Sequence, residues 1–420
     1  MKLKQKININ FFIFILFVLI IYFLIKHQII YPTILPMINN GGVNIFADWS
    51  VIINANLCFE KGLDVYSNNP CDQWGRKHVY GNILLNIPFI QSFKNFYFFI
   101  FPILFNLLFL YVTINFFKFN NYIEYFMIFP FMLSPSIILS IERANIDIII
   151  FLIVVFISFN KKLLFNYIPL LFVTLSKFYP ISLATIFLFE KKFSKIILNF
   201  IVFFILIISL LYLQYDDLVK IFNNSKQFIG GGIYNFSFNG LALYITSLNI
   251  IIDNKNLNWI KYLCIFVFLI IPILITLRFQ IRFIFKNYII KDKLTENIYE
   301  NRLYLLSSVV ILSCYFLFSN YIYREIFFLG LIPWILKERE VNSNKNFINF
   351  YYYILCTKFV ISFIITYIIR NEYFLLIKPI LIFIKHSFDF YLITIILIFL
   401  LSSIIFFYQK LRNNQVPQNV

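Results

Sequence analysis

Asp48, in the run Asn44-Ile45-Phe46-Ala47-Asp48-Trp49-Ser50, is a carboxylate flanked by aromatic residues in a chain that is otherwise mostly apolar. Further polar groups come in short sets: Glu142, Arg143, Asn145 and Asp147; Lys177 and Tyr179 beside Pro180; Asn239 after Gly230-Gly231-Gly232; and Tyr323-Arg324-Glu325. A carboxylate among several cations suits a displacement in which a phosphate leaves. The cations hold the phosphate, and the carboxylate takes the proton of a hydroxyl nucleophile. Plainer readings exist for each set. Glu142-Arg143 reads as a solvated turn pair, and Asn145 with Asp147 as a helix cap. Arg324-Glu325 reads as a local ion pair, Lys177 as a lysine snorkelling to a headgroup region, and the triple glycine as a flexible turn.

The elements that must position these groups follow from composition. Of 420 residues, 61% are hydrophobic and 13% charged, too little polar surface for a water-soluble globule of this size. Apolar runs near 9–26, 96–118, 122–141, 145–160, 195–214, 259–279, 303–321, 346–369 and 387–409 match the roughly 20 residues that a spanning helix needs. Shorter or broken runs lie at 163–189 and 322–336. The expectation is an all-α, polytopic membrane protein with about 10–12 membrane segments, one multi-pass domain over 1–412 and a polar tail, 413–420. Lys2, Lys4 and Lys6 before the run Phe11 to Ile25 read as an uncleaved signal anchor.

Alternating sides from a cytoplasmic N-terminus, with the C-terminus cytoplasmic too, puts the short basic loops inside: Lys118; Lys161-Lys162; Lys191, Lys192 and Lys195; Arg278 to Arg302; Lys337, Arg339 and Lys345; Lys410 and Arg412. That pattern holds only if 163–189 is two short segments broken near Lys177-Phe178-Tyr179-Pro180, where proline disfavours a continuous helix. Two long loops, 27–95 and 215–258, then lie outside, and every polar set above falls on that face. The net charge of +17 is spread over these short clusters, which argues for membrane orientation and against nucleic-acid binding.

Cys58 and Cys71 share the first outer loop; a disulfide and two free thiols are both open readings. Five cysteines without C-x-x-C spacing and three scattered histidines make a structural metal site unexpected, and no cofactor is called for. The sequence contains no paired-aspartate nucleotide-sugar motif, P-loop, dinucleotide fingerprint or nucleophile elbow.

In order along the chain, Asp48-Trp49 with Asn54, Ala55, Gly62 and Val65-Tyr66, then Glu142-Arg143-Ala144-Asn145-Ile146-Asp147, Ser176-Lys177-Phe178-Tyr179-Pro180, Ser237 with Asn239-Gly240-Leu241, and Tyr323-Arg324-Glu325-Ile326-Phe327 running to Pro333 resemble the polyprenol-phosphate-dependent glycosyltransferases of the GT-C class. The likeness is greatest to glycosyltransferase family 87, which includes mannosyl- and arabinofuranosyltransferases of bacterial envelopes, and it spans roughly residues 40–340. It implies an inverting hexosyltransferase in the bacterial cytoplasmic membrane, with its active site on the outer face. The donor would be a polyprenyl-phosphate sugar and the acceptor a glycolipid or glycan hydroxyl. Asp48 would be the general base. Lys177, Arg324 and Arg143 are the candidates for the donor phosphate, and Asn54, Tyr66, Asn145, Asp147, Tyr179, Asn239 and Tyr323 for substrate contact. One departure stands out: Gly81-Asn82-Ile83-Leu84 follows Tyr80 where many relatives have a Tyr-Pro-Pro-like turn. Rival readings are a transporter or flippase for a lipid-linked sugar, and a polysaccharide polymerase or ligase.

Overall fold

The computed structural model describes residues 2–26, 45–117, 128–190, 192–225, 236, 274, 298–317, 322–341, 345–369, 384–397 and 399–400. Every regular element among them is helical. In chain order these are α1 (Lys2–Lys26), α2 (Ala47–Phe59), α3 (Phe96–Ile114, opening on a π turn), α4 (Pro135–Arg143), α5 (Ile146–Phe159), α6 (Tyr167–Ser176), a 3₁₀ segment (Tyr179–Phe189), α7 (Phe193–Tyr212), α8 (Tyr215–Ser225), α9 (Tyr299–Phe316), a second 3₁₀ segment (Ile322–Leu331), α10 (Ile332–Val341) and α11 (Lys345–Ile369). A further helix covers 384–397. Two of these, α3 with 19 residues and α7 with 20, are long and apolar enough to cross a membrane. The run at 122–141 is not one helix: among its described residues a turn at Leu133-Ser134 precedes α4, which opens on Pro135 with the Ser134 hydroxyl accepting from Ile137 N–H.

Side-chain contacts give the bundle two distinct ends. At the far end Asn10 donates to Asn115 (2.9 Å), and Phe159 stacks on Tyr299 (4.5 Å). There Asn160 donates to Asn166 (2.9 Å), and buried Arg302 donates to the carbonyls of Ile157 and Asn160. At the opposite end the first loop packs on α8: Lys220 pairs with Asp64 (2.9 Å), Asn82 donates to Asp217 (3.1 Å) and Asn224 donates to the Tyr66 carbonyl (2.6 Å).

The segment 163–189 is broken at Lys177, whose backbone is extended (φ −142°, ψ 135°). It turns back on itself there, since the rings of Tyr167 and Phe187 lie 5.2 Å apart at the far end while Lys177 and Tyr179 form the tip. Lys161-Lys162 and Lys192 therefore belong to the same end of the bundle, as the charge pattern requires. α9 and the second 3₁₀ segment form a similar pair. Gly330 lies so close to Ser307 that an added Cβ would sit 2.0 Å from its Oγ.

Candidate functional site

Asp48 stands in the first turn of α2, where the positive end of the helix dipole favours a carboxylate. The chain enters α2 through Phe46 in the left-handed region (φ 66°), and the Phe46 N–H donates to the Glu142 carbonyl (2.8 Å). This bond ties the first loop to the 142–147 turn. That turn is made by Ala144 (φ 46°) closing α4 and by Asn145, whose side-chain oxygen accepts from Asp147 N–H (2.9 Å) to cap α5.

Across this junction Arg143 donates from Nε (2.8 Å) and Nη2 (2.5 Å) to Asp48 Oδ1, and Asn145 Nδ2 donates to Asp48 Oδ2 (2.7 Å). Arg76 Nη1 lies 4.0 Å from Asp48. Asp48 is only 9% exposed, and burial alone would raise its pKa. The Arg143 charge and hydrogen bonds, with Asn145 and Arg76, outweigh burial and hold it below the ordinary carboxylate value. The carboxylate is thus ionised and engaged at both oxygens.

Asn145 links this pair to a second one. Lys177 donates to Asn145 Oδ1 (3.4 Å) and to Asp147 Oδ1 (2.5 Å), and the Tyr179 hydroxyl donates to the same Asp147 oxygen (2.7 Å). Arg324 Nε lies 3.7 Å from Asp147 Oδ2, and its guanidinium covers the Tyr179 ring at 4.8 Å. The rings of Tyr80 and Tyr323 come within 5.4 and 5.8 Å of the Lys177 ammonium. Three cations, Arg143, Lys177 and Arg324, thus face two carboxylates, Asp48 and Asp147.

Neighbouring groups leave that balance standing at neutral pH. Arg76 forms a bidentate pair with Asp72 (3.0 and 2.9 Å) and so carries its own counter-charge. Burial pushes Glu142, in the turn and 3% exposed, up to about 8 despite Arg143, so it is protonated at pH 7. Burial likewise pushes His78, between the rings of Tyr66 and Tyr80, down to about 4, so it is neutral. Burial lowers the Lys177 pKa and the Asp147 carboxylate opposes it; with Lys177 charged on Asp147, the cluster carries one excess positive charge.

The structure thus brings Asp48, Arg143, Asn145, Asp147, Lys177, Tyr179, Tyr323 and Arg324 together. It does not bring Tyr66, which is buried in a separate small core with Cys58, Val65, Leu85 and Ile221. Asn54 is half-buried on α2 and, six residues on at 100° each, lies about 240° round the helix from Asp48. Asn239 lies outside the described residues. Several plain readings are corrected. Glu142-Arg143 is not a solvated pair, because Glu142 is buried and Arg143 reaches Asp48. Arg324-Glu325 is not a local pair, because Arg324 turns to Asp147 and Glu325 to Lys358 (2.6 Å). Lys177 does not snorkel but is buried on Asp147. Asp147, fully buried behind Lys177 and Tyr179, holds the cations and offers no surface to a substrate.

Sequence reasoning missed Arg76 and Tyr80 as site residues. The Asp72-Arg76 spacing lies in an irregular stretch where four residues imply no contact. Gly81 carries a signal in hindsight. An added Cβ there would sit 1.6 Å from the Leu175 carbonyl, so glycine is what lets the loop touch the tip of α6, with Gly81 N–H donating to the Ser176 carbonyl (3.1 Å). Cys58 and Cys71 form a disulfide, with Cα atoms 5.8 Å apart, which resolves their open alternative. Among the described residues no three His, Cys, Asp or Glu side chains converge as a metal site would require. No protein-family model matches the chain, and neither curated proteins nor solved structures yield a match.

Proposed function

We propose that this protein is a multi-pass membrane glycosyltransferase that moves a sugar from a polyprenyl-phosphate carrier to an acceptor hydroxyl on the outer face of the membrane. The observation that carries the reading is the charge balance of the buried cluster, three cations over two carboxylates. A sugar joined to polyprenyl phosphate is a phosphodiester with a single negative charge, which neutralises the excess. A diphosphate donor would overfill it.

The donor phosphate sits against Arg324 first, because that guanidinium has the longest ion pair of the three, and then draws Arg143 from Asp48. With Arg143 withdrawn, Asp48 loses its strongest counter-charge and becomes a better proton acceptor. The acceptor oxygen attacks the anomeric carbon and passes its proton to Asp48. The bond from that carbon to the phosphate oxygen breaks, its electron pair leaving on polyprenyl phosphate, with inversion. Lys177, Arg143 and Arg324 stabilise the second negative charge that grows on the phosphate.

Three observations support the membrane and the side. α7 turns Ile197, Leu198, Ile201, Ile205 and Ile208 outward, a surface suited to lipid. Lys161, Lys162 and Lys192 cluster at the far end, as cytoplasmic charges would. The disulfide lies at the site end, as an oxidising outer compartment would favour. The test is incubation of purified protein with panels of polyprenyl-phosphate and polyprenyl-diphosphate sugars. Consumption of a monophosphate donor is expected. Turnover of diphosphate donors alone, the behaviour of a polymerase or ligase, or movement of intact donor across vesicles without bond cleavage would overturn the reading.

A further inference from the structure

Four ionisable residues with no motif between them close into a ring beside the site. Lys358 Nζ lies 2.6 Å from Glu325 Oε2 and 3.3 Å from Asp389 Oδ1; Lys385 Nζ lies 3.3 Å from Asp389 Oδ2 and 3.6 Å from Glu325 Oε1. All four side chains are at most 1% exposed. The rings of Phe328, Phe359 and Phe236 surround the Lys358 ammonium at 4.6, 4.8 and 5.8 Å. Two ammonium groups face two carboxylates in the ring, and buried His386, next to Lys385 on the same helix, also lies close to Asp389.

Stability is a poor explanation for this ring, since well-packed apolar side chains generally serve a buried core at least as well as buried ion pairs. Its distinctive property is geometric. Each carboxylate is held by ammonium groups from two helices, which locks the second 3₁₀ segment, α11 and the 384–397 helix in one register. A 3₁₀ helix turns about 120° per residue and is held less firmly by its own hydrogen bonds than an α-helix. Arg324 and Glu325 therefore point in different directions, one into the site and the other into the ring. Gly330 against Ser307 holds the other end of the same segment.

We propose that Glu325, Lys358, Lys385 and Asp389 are positioning residues that fix the rotation of the segment Ile322–Leu331 and so aim Arg324 at the donor phosphate. This rests on the role given to Arg324 above. The test uses the full chain carrying Glu325→Gln with Lys358→Met, a pair of substitutions that removes one charge of each sign and leaves Lys385 with Asp389. Thermal unfolding, backbone hydrogen exchange and transfer kinetics are then compared with wild type.

The expected result is a wild-type melting temperature, faster exchange across 322–331, and a donor KM raised about tenfold with acceptor KM unchanged, the signature of a lost contact to one substrate. Arg324→Ala should not weaken donor use further in that background. Wild-type exchange across 322–331, or unchanged donor KM at an intact melting temperature, overturns the proposal. If the double variant does not fold, Lys385→Met with Asp389→Asn is read by the same criteria. Wild-type protein that consumes no polyprenyl-phosphate sugar would defeat the glycosyltransferase reading, and the exchange measurement would still decide whether the ring holds the segment.

Discussion

Glu142→Gln separates a buried protonated acid from a charged turn residue. The unfolded chain releases this proton near pH 4.5 and the folded one near about 8. Between those values the folded protein binds more protons than the unfolded one, so stability falls as pH rises and levels off above the folded pKa. At about 1.36 kcal/mol per pH unit, the gap of roughly 3.5 units sets an upper bound of ~5 kcal/mol on the loss. With Glu142 3% exposed, solvent screens little of it. Glutamine keeps the shape and carries no charge, so the variant should lack this slope between pH 5 and 8 and melt several degrees higher at pH 8. Ionised Glu142 also adds a negative charge beside Arg143 and Asp48, cancelling the excess positive charge of the cluster. Donor affinity of the wild type should therefore weaken above pH 8 and that of the variant should hold. Melting temperatures of the purified protein from pH 5 to 9, with donor KM over the same range, check both. Parallel curves for the two proteins would refute the protonated assignment and the charge count built on it.

Asp48→Asn should lose about 10²–10⁴-fold in turnover at saturating donor while donor binding persists, and near-normal transfer by the purified variant would remove Asp48 from the chemistry. Lys177→Ala and Arg324→Ala should each weaken donor use, with Arg324→Lys partly tolerated because the ammonium cannot reproduce a planar fork; wild-type donor KM in both alanine variants would place the phosphate elsewhere. Cysteines placed at the exposed positions Asn68 and Lys192 should differ in intact cells, the first labelled by an impermeant thiol reagent and the second not. Labelling of position 192 from outside would separate the far end of the bundle from the cytoplasm.

Local chain chemistry was legible in the sequence. The break at Lys177-Phe178-Tyr179-Pro180, the cap at Asn145 and the helical class follow from proline, short polar side chains and apolar runs, because each acts within a few residues of itself. The lengths of the helices were less legible. The 122–141 run contains a turn at Leu133-Ser134, since Ser134-Pro135 favours a new helix start over continuation. That Asp48, the 142–147 turn, Lys177 and Arg324 share one end of the bundle was also readable, because charge in short loops constrains which ends meet. Which cation meets which acid was not. Arg143 chooses Asp48, 95 residues away, over its neighbour Glu142, and Arg324 chooses Asp147 over Glu325. The same holds for the ring of Glu325, Lys358, Lys385 and Asp389. Such pairings depend on the rotation and depth of helices packed from distant segments. In a buried, poorly screened interior the nearest opposite charge in space decides the pairing, and tertiary packing alone sets that distance.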